Sequence, residues 1–344
     1  MDGIIISFVI PVFNQTGLLK LWLDRFVIYQ GGNVEVVICG GGEGLDELIT
    51  QYSDKRIKLY EIDNRGQDLN ILEGIRRCKG KYIWLFRTKD YVISEKIEEV
   101  ISILYDNPSI SYMTSSCIDE EDNYVLKYEP SELVRKGHDA ILRHGRLYVH
   151  PSGSIYRRDC IDIAEMERFL IDETDARVFI YLCSLMRLCC ALQGDFFLMD
   201  KVTWIYTNTI KSATISGNFP NKTTKFIYDP EYTYMRYKAE TKFAYYSIKD
   251  RELLDYTCAR IFGRYLIECT WFLWKGYRDD GFCKHYGVFK KEIKMEHERS
   301  KYLGIVEKIE RLYGLQYHES YTDLKAEYIS KNIDYCNKLI VGEK

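Results

Sequence analysis

Five short apolar runs alternate with amphipathic stretches over the first 117 residues, and no other property of this chain restricts its fold so strongly. The runs are IIISFVIPV (4–12), VEVVIC (34–39), RIKLYEI (56–62), KYIWLF (81–86) and ISYMTSSC (110–117). Between them lie TGLLKLWLDRFVIYQ, GLDELITQY, QDLNILEGIRRC and SEKIEEVISILY, each with apolar residues at helical spacing. Strand and helix in regular alternation predict an α/β protein with a doubly wound, mostly parallel sheet and right-handed crossovers. Ligands on such sheets bind beyond the carboxyl ends of the strands. The loops to inspect are therefore PVFNQTG, GGGEG, DNRGQD and RTKD.

GGGEG follows a strand and opens a helix, which raises a dinucleotide fold. That fingerprint belongs after the first strand with G-x-G-x-x-G spacing, and Gly40, Gly42 and Leu45 do not supply it. Neither a Walker lysine motif nor HExxH is present. Gly40, Gly41, Gly42 and Gly44 still permit a tight turn and a close approach of backbone amides to an anion or a flat ring.

At 344 residues the chain predicts two domains. Hydrophobic residues at 46% and charged residues at 29% describe a packed chain with no disordered tract. Residues 231–344 carry 21 Lys+Arg against 18 Asp+Glu and the rest 27 against 33, too mild a split for a nucleic-acid binder. The opening MDGIIISFVIPVF lacks a basic leader and is broken by Pro11, so it reads as a buried first strand rather than a signal peptide. No apolar run approaches the roughly 20 residues needed to span a bilayer. The 11 cysteines are odd in number and without CxxC pairs, which predicts buried thiols in a reducing cytoplasm and no zinc site.

Four loops on one sheet match a known pattern. FVIPVFN (8–14), VEVVIC with its glycine loop, DNRGQDLNILEGI and CKGKYIWLF resemble, in order and spacing, the family 2 glycosyltransferases of the GT-A (Rossmann-like) fold. The NRGxDxN form followed by KGKYIWL is most similar to abequosyltransferase-type members, which build bacterial surface polysaccharides. The resemblance is good over residues 4–105, faint to about 217 and absent beyond, which implies a GT-A domain over 1–217 and a helical C-terminal domain over 218–344.

The resemblance implies a donor site built from Pro11, Phe13 and Asn14 at the edge of the nucleoside pocket, with Asn64, Gly66 and Asn70 lining it. Each also has a purely local reading: Pro11 ends a strand, Gly66 makes a turn, Asp68 caps a helix. Two departures matter more. Gly40 stands where the family keeps a base-binding Asp. The family's Leu-Asp-x-Asp-Asp is here Phe86, Arg87, Thr88, Lys89, Asp90, so of the carboxylates only Asp90 remains. In the family those carboxylates help hold Mg²⁺ or Mn²⁺ against the donor diphosphate, and here a metal would have Asp90 alone. A guanidinium and an ammonium can instead stabilise a departing diphosphate directly, which makes Arg87 and Lys89 catalytic candidates and Asp90 a donor-site candidate. The bland reading of the same residues is a decayed site with Asp90 pairing one of two loop cations.

An inverting transferase needs a base for the acceptor hydroxyl. The resemblance points to a carboxylate before a helix in the second half of the domain. RFLIDETDARVFIYLCSLM offers Asp172, Glu173 and Asp175, of which Asp175 and Glu173 are the candidates; helix capping is the alternative. HPSGSIYRRD (150–159) resembles the acceptor-side loop, with Ser152 and Gly153 as acceptor-binding residues and His150 as a structural hydrogen-bonder.

After about 218 the pattern turns helical, with Leu254, Cys258, Ile261, Phe262, Tyr265, Cys269, Phe272 and Leu273 on one face. Packing on the first domain or on a second copy is the expected use of that face. The cluster TWFLWKGYR (270–278) also suits a membrane interface, so the expected location is the cytoplasm or the inner face of the membrane. The chain thus reads as a glycosyltransferase taking a nucleotide-sugar donor and a glycan or lipid-linked acceptor, the rival being an inactive relative that scaffolds an active one.

Overall fold

Eight residues with almost no polar interruption, Ile6–Phe13, form β1, and nearly all are buried, as a central strand covered on both faces requires. The computed structural model describes residues 3–145, 150–173, 182–207, 230–258, 260, 261 and 264. Along the chain β1 is followed by α1 (Thr16–Phe26), β2 (Val34–Gly41), α2 (Leu45–Thr50), β3 (Ile57–Glu61), α3 (Gln67–Arg77), β4 (Tyr82–Leu85), β5 (Tyr91–Val92), α4 (Ile97–Asp106) and β6 (Ile110–Asp119). Then come β7 (Tyr124–Leu126), β8 (Glu132–Val134), α5 (His138–His144), β9 (Ile155–Arg157), α6 (Ile163–Glu173), α7 (Leu182–Gln193) and β10 (Asp195–Tyr206).

The chain divides into two compact units. One comprises Met1–Ala140 and Tyr148–Lys222, the other Ile141–Leu147 and Thr223–Lys344. The first holds the sheet, in the order β3-β2-β1-β4-β9-β6-β10-β5, with β7 on β6 and β8 on β10. β3, β2, β1 and β4 are parallel neighbours, and β10 runs parallel to β6. The five strands and four helices expected over the first 117 residues are all present.

Between β4 and β6, however, the short β9 is inserted antiparallel to both. A three-residue strand is too short to show a period, so the parallel run read from the sequence has this interruption. The core lies under α1, whose Leu19, Trp22, Leu23 and Phe26 form one buried face. Trp22 and Phe26 meet Phe8 edge-on at 5.7 and 5.5 Å, while Phe8 stacks on Trp84 at 5.1 Å.

At the amino ends of the strands a buried carboxylate, Glu35 on β2, is fully engaged. It accepts bonds from Ser7 Oγ (2.7 Å), Lys58 Nζ (2.5 Å) and the Lys79 amide (2.6 Å). Ser7 Oγ in turn accepts from the Gly80 amide at 2.8 Å. The turn before β4 is thus stitched to β1 and β2 through its backbone amides, and through Glu35 to β3.

The second unit, among described residues, contains α8 (Pro230–Ser247) and α9 (251–258). Tyr237, Phe243, Ile248, Leu254, Cys258 and Ile261 are buried in it, and Phe262 and the rest of the expected face lie outside the described residues. Its interior also holds an ion cluster. Glu240 pairs with His144 Nε2 at 2.8 Å and with Arg264, whose NH1 also donates to the His144 carbonyl at 3.3 Å. Burial alone would raise the Glu240 carboxyl, but the Arg264 charge and the His144 bond drive it well below its ordinary range. No described helix is long and apolar enough to cross a membrane.

Candidate functional site

Beyond the carboxyl end of β4 the turn Arg87-Thr88-Lys89-Asp90 leads into β5, which pairs antiparallel with the end of β10 through Trp204↔Val92 and Ile205↔Tyr91. Asp90 is wholly buried at the centre of this turn. Its Oδ2 accepts from Arg87 Nε (2.8 Å) and Ser152 Oγ (2.6 Å), and its Oδ1 from the Thr207 amide (3.1 Å). Ser152 Oγ also accepts from the Arg87 amide at 3.0 Å, so the loop after β4 and the loop before β9 share one node. Burial alone would raise the Asp90 carboxyl, but the Arg87 charge and the bonds from Arg87 and Ser152 hold it below its ordinary value.

Lys89 Nζ donates to the Thr207 carbonyl at 2.7 Å. Burial and the neighbouring Arg87 push its ammonium below the usual lysine value. The Tyr206 ring lies 5.6 Å from the Arg87 guanidinium and 5.0 Å from the Lys89 ammonium. His150 completes the node. Its Nδ1–H donates to the Ser152 carbonyl (3.2 Å), and its ring stacks on Trp204 at 5.2 Å and meets Tyr206 edge-on at 5.4 Å. Burial and the Arg87 charge push the imidazole down to about 3, so it is neutral at physiological pH.

The formal charge of the turn is therefore one positive in excess: Arg87 and Lys89 against Asp90. A divalent cation does not fit here. Both Asp90 oxygens are engaged by protein donors, two cations flank it, and no group of three His, Cys, Asp or Glu among the described residues is placed to hold a metal.

The other predicted residues fall as follows. Asn14, at the end of β1, has a left-handed backbone (φ 51°), and its amide donates to the Gly41 carbonyl at 3.2 Å. Pro11 and Phe13 are partly buried residues of β1. Asn64 Oδ1 accepts from the Gly66 amide (3.1 Å) and from Asn70 Nδ2 (3.4 Å), while Asn70 Oδ1 accepts from the Arg65 amide (3.3 Å). Asn64, Gly66 and Asn70 thus brace the β3–α3 loop from within.

Gly40 is buried in β2, and a Cβ there would lie 1.6 Å from the Val12 carbonyl oxygen. Only glycine lets β1 and β2 close at that rung, so strand packing explains why no side chain stands there. Gly153, at φ +79°, has the Trp204 indole where a Cβ would go, 2.1 Å from Nε1. Ser152 and Gly153 are therefore held by the Asp90 node and by Trp204. Asp172 is exposed on α6, Glu173 is the last residue of that helix with a side chain outside the described set, and Asp175 lies outside the described residues.

Trp204, Tyr206 and Thr207 were not legible as site residues. TWIYT carries alternating large residues at the end of β10, but nothing in the order of the chain pairs it with a turn more than a hundred residues earlier.

Residues 7–163 match the family model described as Glycosyl transferase family 2. An uncharacterized glycosyltransferase of Rickettsia prowazekii (strain Madrid E) is 27% identical over 137 residues, 38% of this chain and 43% of the relative. Another from Rickettsia bellii (strain RML369-C) is 29% identical over 124 residues, 35% of this chain and 18% of the relative. The match spans less than half the length of each. In fold, the chain is similar to S. aureus TarS 1-349, solved in complex with UDP-GlcNAc, with a TM-score of 0.57, 11% identity and coverage of 90% of this chain and 91% of that one.

Proposed function

We propose that this chain transfers a sugar from a nucleotide-sugar donor to a hydroxyl of a glycan or lipid-linked glycan in bacterial surface-polysaccharide synthesis, with inversion and without a divalent metal. The observation that carries this reading is the excess positive charge of the Arg87–Asp90 turn at the carboxyl edge of a family 2 domain, where the family pattern has carboxylates. Such a charge complements a diphosphate and stabilises the negative charge that grows on it as the glycosidic bond breaks. The acceptor oxygen forms the new bond to the anomeric carbon, the nucleoside diphosphate leaves with the bonding pair, and a carboxylate accepts the acceptor proton. Asp175 or Glu173 is assigned that last role by its place in the chain.

Pro11, Phe13, Asn14, Gly40, Asn64, Gly66 and Asn70 shape the loops on which the nucleoside lies, and the abequosyltransferase-like NRGxDxN form supports a surface-glycan product. TarS, a fold neighbour, binds UDP-GlcNAc, so uridine diphosphate sugars are the first donors to test.

Release of nucleoside diphosphate from a panel of nucleotide sugars, with EDTA or Mn²⁺, tests this reading. Turnover undiminished by EDTA is expected. Turnover that vanishes with chelator and returns with Mn²⁺ would overturn the metal-free mechanism. A folded protein inert to every donor but bound tightly to an active transferase would favour a scaffold.

A further inference from the structure

The loop after β1 and the loop after β4 meet through one pair of side chains. Thr88, buried in the RTKD turn, donates its hydroxyl to Gln15 Oε1, 73 residues earlier in the chain. Gln15 stands immediately before α1, where a side chain ordinarily turns back to cap the helix, yet it makes no capping bond. It reaches across to the turn instead. Its two neighbours are tied the other way: the Asn14 amide donates to the Gly41 carbonyl at 3.2 Å, and Thr16 Oγ1 to the Glu43 carbonyl at 3.0 Å. The backbone around Gln15 is thus fixed to the end of β2 and its loop, while its side chain is fixed to the loop after β4.

A carboxamide anchored through its oxygen still has two N–H donors on its nitrogen. Among the described residues no group accepts from Gln15 Nε2, and that atom is not sealed in the interior. We propose that Gln15 is a donor-binding residue whose Nε2 donates to an oxygen of the nucleotide diphosphate, and that Thr88 is the positioning residue that aims it. This rests on the donor-site reading above. The anchor of Gln15 lies between Arg87 and Lys89, the two cations of the turn, so an anion drawn to that surplus charge arrives beside the amide. The first turn of α1 carries no acidic residue to oppose it. Phosphate oxygens only accept, and a neutral amide meets them with charge-assisted bonds without bringing a third cation into the turn.

Calorimetry with UDP and GDP on the full chain, beside thermal unfolding without ligand, tests this. Gln15→Glu keeps an acceptor for the Thr88 hydroxyl but removes both N–H donors, so a Gln15 that merely braced two loops would tolerate it. The expected result is an unchanged unfolding midpoint with affinity lowered about 10-fold or more, the loss of one hydrogen bond to a charged group. Gln15→Met, which also leaves the Thr88 hydroxyl without its acceptor, should weaken binding about 10-fold and lower the midpoint as well. Thr88→Val should weaken binding about threefold, and Thr88→Ser, which keeps the hydroxyl, should restore it. A Gln15→Glu protein that binds nucleotide as the wild type does, or whose midpoint falls as far as that of Gln15→Met, overturns the assignment while leaving the donor-site reading in place. If neither nucleotide binds the wild type, the donor-site reading itself falls and the assignment falls with it.

Discussion

Two ends of the same sheet solve the same problem with different net charge. At the amino end, Glu35 is buried and satisfied by a hydroxyl (Ser7), a cation (Lys58) and a backbone amide (Lys79). At the carboxyl end, Asp90 is buried and satisfied by a hydroxyl (Ser152), a cation (Arg87) and a backbone amide (Thr207). The first set balances one negative charge with one positive. The second adds Lys89 and so keeps one positive charge over. A buried carboxylate is a stitch wherever its acceptors are filled; the surplus beside it is what distinguishes the carboxyl end of the sheet.

The largest effect should separate stability from binding. Glu35→Ala removes one partner of a buried charge set and should cost about 3 kcal/mol in chemical denaturation, with nucleotide affinity unchanged where the protein remains folded. Arg87→Met should differ in turnover. Its rate of donor turnover should drop on the order of 10²-fold, the usual loss for one preorganised charge-stabilising donor, in addition to a loss of stability, since Asp90 is left buried without its cation. Equal effects of both substitutions on stability and turnover would erase the distinction between the two ends.

Acid sharpens the contrast next. His150 is depressed from an ordinary 6.5 to about 3. Above pH 6.5 it is neutral in both folded and unfolded chains; below it the unfolded chain takes the proton first, so stability falls by about 1.4 kcal/mol per pH unit down towards the folded value. Burial would raise Glu35, but Lys58, the Lys79 amide and Ser7 hold it below its ordinary 4.5. Its contribution is present above that value and is lost only as pH falls through the lower folded one. Denaturation midpoints measured from pH 7 to pH 4 should therefore decline from about 6.5 in the wild type and much less in His150→Asn. A decline unaltered by that substitution would place the acid-sensitive group elsewhere. The smallest expected difference concerns the hydroxyls: Ser7→Ala and Ser152→Ala should each cost about 1–2 kcal/mol, yet only Ser152→Ala should also alter nucleotide affinity, since only its node carries the surplus charge.

The parallel half of the sheet was readable because its strands are buried on both faces and print as unbroken apolar runs such as ISFVIPVF. The RTKD turn was readable as a departure from a family pattern. Its wiring was not. Lys89 and Thr207 are 118 residues apart, and the strand that brings them together, β10, contains Asp200 and Lys201 and pairs irregularly with β6, which breaks its periodicity. Gly40 shows the opposite limit: its absence of a side chain was visible, but the reason, the Val12 carbonyl 1.6 Å from where a Cβ would stand, exists only in three dimensions. Of the carboxylates proposed as base, Asp175 and the side chain of Glu173 lie outside the described residues, so the chain order alone nominates them.

Calorimetry of UDP, GDP, CDP and dTDP with the full chain, in EDTA and again with Mn²⁺, tests most directly whether surplus protein charge stands in for a metal. At least one nucleotide should bind with the same Kd, within about twofold, in both conditions, and that binding should weaken about 10-fold or more in Arg87→Met. Binding that appears only with Mn²⁺, or that Arg87→Met leaves intact, would contradict it.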